Sequence, residues 1–353
     1  MKEAIVAKGN KVTIHEVPIP KPAAGQVLIK VIFSGSNPKD WKLPYMIPPH
    51  NSGDDIAGTV EEAGANVVGF KKGDRVAAFH EITKPHGSFA EYAIAWAYTT
   101  FHLPAKISFE EGSTIPLAAM TAAVGLYLRL GLPAPWTPTL DATPLIVYGG
   151  SGAVGAYAIK LAQLSNIHPI IAVAGAGADY VETLITRSEG DTIIDYRKGN
   201  DAVISGLKDA LKGSPCHYAF DAVSEHNSFQ NLSKVLAPES SNITVVLPGK
   251  DYSDIPQNIS HSTTSVGTVH QENLYEGTPM EEEFKKAGIK TGTKEFGFIY
   301  FNFFTRGLAE GWFSGHPYEV VPGGLGGVEK ALTDLQNGKA SAKKFIFNVP
   351  ETK

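Results

Sequence analysis

Three glycines at a dinucleotide-binding spacing, Gly150-x-Gly152-x-x-Gly155, stand between a short apolar run, Pro144-Leu-Ile-Val-Tyr148, and a helix-forming stretch, Ala156–Leu164. A strand, a glycine turn and a helix N-terminus in that order make a site for a dinucleotide pyrophosphate. In this pattern Gly150 allows the tight turn, Gly152 lets the backbone approach a phosphate, and Gly155 lets helix and strand pack closely. Ser151, Ala153 and Val154 complete the cradle. The helix N-terminus adds unpaired N–H groups and the positive end of its dipole. The competing reading, in a chain with 36 glycines, is a turn that binds nothing.

The end of the next strand, Pro169-Ile-Ile-Ala-Val173, indicates which dinucleotide. An NAD-preferring unit closes this strand with an acid that bonds the ribose 2′-hydroxyl. Here the strand runs into Ala174, Gly175, Ala176 and Gly177, and the nearest acid, Asp179, falls inside the following helix. Small residues leave room for a 2′-phosphate and add no repelling charge. Tyr196 and Arg197, after the third strand, offer it a donor and a cation, with Lys198 in reserve. The expected cofactor is NADPH, against the alternative that 174–178 and 196–198 are solvated turns.

The elements that must position these residues fall into two kinds. Residues 1–122 are β-rich, with runs such as Val27–Phe33, Ile56–Val60 and Arg75–Phe79 separated by Gly, Pro, Asn and Asp turns. The pattern turns helical from Glu110 to Leu130 and stops near Gly131 and Pro133. Strands are then expected at 144–148, 169–173, 191–194, 217–221 and 242–246 with helices between them, an alternation that makes βαβ units and a parallel sheet. Beyond about 270 the alternation breaks. Glu281–Lys286 reads as a charged surface helix, Phe296–Phe313 as an aromatic helix, and Ala342–Val349 as a closing strand. The expected fold class is α/β, a β-rich catalytic domain with a doubly wound parallel sheet. Its domains are 1–122, 123–268 and a return to the first domain over 269–353.

Bulk properties narrow the partners. At 353 residues the chain is long enough for two domains. A net charge of −5 without a basic run argues against nucleic acid. No apolar run approaches the roughly 20 residues of a bilayer span, and Met1–Val6 enters a strand pattern without a signal core. Cys216 is the single cysteine, which forbids an internal disulfide and fits a cytoplasmic setting. It reads as a packing residue.

Beyond the glycine turn, Ser36-Asn-Pro-Lys-Asp40, Gly53-Asp-Asp-Ile-Ala-Gly58, Gly73-Asp-Arg-Val76, Gly87–Tyr92, Ile115–Ala122 and Gly338–Ala342 recur in a fixed order. On these the chain resembles the zinc-independent medium-chain dehydrogenases/reductases, in their quinone oxidoreductase and enoyl reductase branch. Asn37–Lys42 and Leu247-Pro-Gly249 look like the trans-acting enoyl reductases of fungal polyketide pathways. The resemblance implies a GroES-like catalytic domain beside a Rossmann-type one. It places Asn37 where zinc-dependent relatives carry a Cys ligand and Asp54 where they carry a His, so no metal is expected. His80 and His86 read as residues of a solvated loop.

The implied reaction is hydride transfer from NADPH to the β-carbon of an enone or enoyl thioester, with protonation of the α-carbon. By resemblance, Ser36, Asn37, Pro38 and Lys39 sit beside the nicotinamide ribose, and Leu247, Pro248, Ser341 and Ala342 close over the nicotinamide end. Thr121, at the start of the linking helix, reaches toward nicotinamide or substrate. Lys39 binds a ribose hydroxyl, places a cation near the enolate, or takes part in proton delivery; Tyr45 is a possible acid. The aromatic run 296–304 is an interior helix, a dimer contact or a wall for an acyl chain. The chain is expected to be a monomer or homodimer, with the acyl carrier of a polyketide synthase as a candidate partner. The alternatives are an NADPH:quinone or 2-alkenal reductase, and an NADPH-binding partner without turnover.

Overall fold

Strand-forming residues and turn residues alternate along the first hundred positions, and the chain folds there into β-structure. The computed structural model describes residues 1–271 and 293–353; the charged stretch Glu281–Lys286 lies outside the described residues. The chain separates into two compact units, Met1–Met120 with Gly267–Lys353, and Thr121–Val266.

In the first unit, β1 (Lys2–Val6) and β2 (Val12–Glu16) form a hairpin. The main sheet is built from β3 (Gln26–Gly35), β4 (Asp55–Ala63), β5 (Arg75–Phe79), β6 (Tyr92–Trp96) and β7 (Thr100–His102). β3 pairs antiparallel with β4 along its length and with β6 over residues 26–30. Apolar side chains from alternate positions, Val27, Ile29 and Val31 on β3 and Ile56 and Val60 on β4, are buried in one core with Phe89 and Phe347. A short helix, α1 (Pro38–Lys42), leaves β3 with proline in its first turn, where a missing N–H costs nothing.

The second unit carries β8 (Leu145–Tyr148), β9 (Ile170–Ala174), β10 (Thr192–Asp195), β11 (Tyr218–Asp221), β12 (Ser241–Val245) and β13 (Ile259–Thr263). They form one parallel sheet in the order β10-β9-β8-β11-β12-β13. The order reverses direction at β8, so a doubly wound sheet has its switch point at the end of that strand. Strands covered on both faces read as continuous apolar runs; accordingly Leu145–Val147 and Ile170–Ala174 are fully buried. The chain then returns to the first unit, where β14 (Tyr318–Val321) and β15 (Lys344–Asn348) pair with each other and β15 joins β3 at Phe33–Gly35.

The stretch read as one helix from Glu110 to Leu130 is three pieces: Phe109–Gly112, Pro116–Ala123 and a wider-wound turn, Val124–Arg129. Ser113 turns its hydroxyl back to the Glu110 carbonyl, and Pro116 opens the next helix without a backbone donor. In the third piece the Leu130 N–H reaches five residues back to Gly125, where a side chain would collide with the Phe220 ring. The aromatic helix runs Lys294–Glu310 and is ended by Gly311 at φ +88°. Tyr300, Phe301 and Phe304 are buried, Phe301 stacked on Phe101 at 5.4 Å between ring centroids, whereas Phe298 and Ile299 are exposed. Among the described residues no helix is long and apolar enough to cross a membrane.

Candidate active site

The glycine turn joins β8 to α4, a helix over Ala153–Leu164 with Gly152 as its N-cap. The structure redistributes the tasks of the glycines. The left-handed residue that makes the tight turn is Gly149, at φ +82°; Gly150 has an ordinary φ. A side chain at Gly150 would lie 3.1 Å from Ile159 Cδ1 and 3.2 Å from Ala172 Cβ, so its smallness serves sheet–helix packing. Gly155 is tighter still, since a Cβ there would collide with the Gly149 carbonyl. At Gly152 a Cβ would meet only that same oxygen, at 3.5 Å, and the residue is exposed. The open position therefore falls at the helix N-terminus, with Ser151, Ala153 and Val154 half-buried around it. A bare, solvent-facing backbone over the first N–H groups of a 12-residue helix fits a pyrophosphate.

β9 and β10 place the second half of this site. Ala174 and Asp195 are register partners at the ends of these strands. Ala174, Gly175 and Gly177 are buried and Ala176 is exposed. The Tyr196 ring lies over Gly175, where a Cβ would sit 2.5 Å from its Cε1, and Tyr196 is itself half-exposed. Arg197 does not extend into solvent as an uncommitted cation. Its Nη2 lies 2.7 Å from Asp195 Oδ2, its Nε 2.9 Å from Asp195 Oδ1, and its backbone N–H also donates to that oxygen. Those bonds hold the Asp195 carboxyl down to about 2. The acid that bonds Arg197 has no counterpart in the sequence reading. After β12, the Leu247 carbonyl accepts from Tyr252 Oη at 2.6 Å, and Pro248 is exposed.

In the first unit, α1 delivers Lys39 to a buried ionic cluster. An ammonium has three N–H groups, and three oxygens surround this one. Asp40 Oδ1 is 2.7 Å away, the Ser52 carbonyl accepts at 2.5 Å, and Asp54 Oδ2 forms an ion pair. Burial would lower Lys39, but Asp40 and Asp54 outweigh it and hold the ammonium above its ordinary range. Asp54 is held low: burial opposes this, and Lys39 followed by His80 prevails. Asp40 is raised to about 7 by burial, against the pull of Lys39 and with the repulsion of Asp54. His80, expected in a solvated loop, is only 2% exposed. Its Nδ1 is 2.8 Å from Asp54 Oδ1 and its Nε2 is 3.0 Å from the Pro85 carbonyl. No spacing in the sequence marks it, because the contact runs between the end of β5 and the start of β4.

Asn37 is fixed by a second buried pair. Its Nδ2 donates to Asp55 Oδ2 at 2.7 Å, and its Oδ1 accepts from Lys344 Nζ at 3.0 Å. Lys344 also bonds Asp55 at 2.5 Å, and the other Asp55 oxygen accepts from the Leu117 N–H. A donor-only ammonium and an acceptor-only carboxylate leave the amide one orientation. Ser36 donates to the Phe345 carbonyl at 2.9 Å. Pro38 is exposed on the first turn of α1; Ser341 is exposed and Ala342 holds φ +50° just before β15. Tyr45 is 46% exposed with Lys8 Nζ 5.6 Å from its ring centre. Thr121 is buried late in the helix Pro116–Ala123, not at its start.

Neither of the two positions that the resemblance aligns with zinc ligands, Asn37 and Asp54, fits that metal. Asn37 presents a neutral amide already bound on both ends, and Asp54 is paired with an ammonium and an imidazole.

Residues 23–105 match the alcohol dehydrogenase GroES-like domain. A trans-enoyl reductase (fsr4) of Gibberella fujikuroi is 48% identical over 92% of this chain and 91% of its own length. A trans-enoyl reductase (resD) of Aspergillus sclerotiorum is 30% identical over 97% and 98%. A crystal structure of a putative zinc-dependent alcohol dehydrogenase from Rhizobium etli, 22% identical, superposes with a TM-score of 0.79 over 99% of this chain and 98% of that one, a likeness of fold. The fold and these relatives define a medium-chain dehydrogenase/reductase, an oxidoreductase that uses a nicotinamide cofactor. Within that class the chain belongs to the trans-enoyl reductase family, whose members act on C=C bonds.

Proposed function

We propose that the protein is an NADPH-dependent enoyl reductase acting in trans on enoyl thioesters carried by a polyketide synthase, in the cytoplasm. The observation that carries this reading is the 48% identity to a trans-enoyl reductase across nearly the whole of both chains. The geometry supports it. The Gly152 opening at the N-terminus of α4 suits the pyrophosphate, with Ser151, Ala153, Val154 and Gly155 contributing backbone. The end of β9, with Ala174, Gly175, Ala176 and Gly177, carries no acid to repel a 2′-phosphate, beside which Tyr196 is proposed to stack and Arg197 to supply charge. Ser36, Asn37, Pro38, Leu247, Pro248, Ser341 and Ala342 are proposed around the nicotinamide end.

When bound, the reduced nicotinamide supplies the hydride that adds to the β-carbon. The chain's own residues handle charge and protons. Negative charge that spreads from the α-carbon to the thioester oxygen needs a cation in a dry setting, and the Lys39 ammonium is proposed for it. Three oxygens already surround that ammonium, so Lys39 acts through its field or gives up one contact as the substrate arrives. Asn37, locked by Asp55 and Lys344, is proposed to keep α1 in place. Thr121 is proposed to orient substrate or nicotinamide, and the half-exposed Tyr45 to supply a proton.

The test is NADPH oxidation by purified protein across 2-enoyl thioesters of increasing chain length, with NADH and a simple quinone alongside. Turnover that rises with thioester length and prefers NADPH is expected. Turnover of the quinone alone would overturn the reading in favour of a quinone reductase, and tight NADPH binding without any turnover would mark a non-catalytic binding protein.

A further inference from the structure

The cluster around Lys39 holds two carboxylates, Asp40 and Asp54, against one ammonium. Left at that, the cation would be outnumbered and its field toward any third group cancelled. The hydrogen bonds of His80 change the count. A carbonyl oxygen only accepts, so the Pro85 contact fixes a proton on Nε2. Nδ1 then faces Asp54 Oδ1 at 2.8 Å, and two lone pairs cannot meet at that distance. One further proton therefore lies on the line from Nδ1 to Oδ1, whichever atom carries it. His80 and Asp54 together with that proton are a neutral pair, and above about pH 7, where Asp40 is ionised, Lys39 is left to balance Asp40 alone. His80 is 2% exposed and Asp54 1%, so water does little to screen this arithmetic.

We propose that His80 is a positioning residue for the reduction: the proton it holds against Asp54 keeps Lys39 from being cancelled twice over and keeps its charge effective toward the substrate. The inference rests on the reading of Lys39 as the cation for the enolate. It adds a residue from the loop after β5 to a site otherwise drawn from α1 and its surroundings.

Three replacements separate a role through Asp54 from a role in holding the loop. His80→Asn/Asp54→Asn removes the carboxylate together with its proton, so the pair stays neutral, and loses the Pro85 contact. His80→Gln keeps a donor toward Pro85 and loses Asp54. His80→Phe loses both. The readouts are kcat and KM for an enoyl thioester, the Kd for NADPH by fluorescence, and thermal unfolding to show that each variant is folded. The expected result is a fall in kcat of at least about tenfold in His80→Gln and His80→Phe. The NADPH Kd should stay within about twofold, and His80→Asn/Asp54→Asn should recover most of the rate. Equal losses in all three, or full activity in His80→Phe, would overturn the proposal.

A second background distinguishes this failure from failure of the reading beneath it. In Lys39→Met/Asp40→Asn, which keeps the cluster neutral, kcat is expected to be low already, and adding His80→Phe should lower it no further. Full activity in the double variant would remove Lys39 from the reaction and the proposal with it. A low double variant beside normal His80 variants would overturn the His80 proposal alone.

Discussion

Arg197 and Asp195, two residues apart at the end of β10, are joined by a forked pair of contacts, Nη2 to Oδ2 at 2.7 Å and Nε to Oδ1 at 2.9 Å. The cation expected to meet a 2′-phosphate thus begins with a carboxylate as its partner. On the proposed placement a phosphate must compete for it, and the discrimination between NADPH and NADH should be correspondingly modest. Asp195→Asn removes the competing charge while an amide oxygen still caps the Arg197 N–H. It should tighten NADPH about threefold and leave NADH nearly unchanged, the scale of an exposed pair. Parallel fluorescence titrations decide it; equal changes for both cofactors would place the 2′-phosphate elsewhere. Introducing an acid at Ala174 or Gly175 is a poorer test, because Ala174 is fully buried and any side chain at Gly175 strikes the Tyr196 ring.

The glycine turn offers a contrast within one loop. Gly152→Ala meets no obstacle in the protein, so the variant should melt with the parent yet bind NADPH at least about tenfold more weakly, as the methyl group takes the place of phosphate oxygens. Gly155→Ala must push the Gly149 carbonyl aside and should cost about 1–3 kcal/mol of stability. Melting curves and cofactor titrations on both variants check the pair. Equal behaviour would mean that the open position is not where the anion binds.

How much of this was legible in the sequence follows the physics of each signal. Five strands of the parallel sheet, β8 to β12, fall within a residue of their expected positions. The match is plainest for β8 and β9, which are unbroken apolar runs bounded by proline and glycine; β13, Ile-Ser-His-Ser-Thr, has no such run and was not expected. The helix from Glu110 to Leu130 was overdrawn: apolar periodicity continues through Ser113 and Pro116, but the backbone hydrogen bonds do not. Among the glycines, the spacing marked the right loop and misassigned the turn, since φ at Gly149 and Gly150 depends on how Val173 receives both N–H groups. His80 reads from the sequence as a solvated loop residue and is buried instead. A histidine beside a loop looks solvated until the fold brings Asp54 to its Nδ1, and nothing in the stretch between two residues 26 apart announces that contact.

Asp40 gives stability a pH dependence with a definite sign. Burial raises its carboxyl from 3.8 to about 7. Between those values the folded chain keeps a proton that the unfolded chain has released, so stability falls as pH rises from about 4 to about 7 and levels off above. Asp54 is held low and loses its contribution only on acidification below that window. Asp40→Asn removes the decline, so the melting temperature of the variant relative to the parent should climb across the window. A difference that stays flat with pH would show that Asp40 does not take up the proton.

Cys216 is buried, and burial raises its thiol to about 11. At about pH 8 only about one molecule in a thousand carries the thiolate, so the folded protein should be inert to a disulfide reagent such as DTNB. Denaturant should release one reactive thiol. Rapid labelling of the folded protein would contradict the buried placement.

The link between Lys344 and the Asp55–Asn37 pair has a consequence for synthesis. β15 supplies both the cation for Asp55 and the partner of β3 at Phe33–Gly35, yet it is translated only after the whole of Thr121–Val266. Until Lys344 emerges from the ribosome, Asp55 has no ammonium, Asn37 has no fixed amide, and the end of β3 is an open edge. Three hundred and more residues of nascent chain must therefore wait with one half of the molecule unfinished. A stop codon shortly before Lys344 should yield a chain that chaperones retain, even though every residue of the glycine turn is present in it.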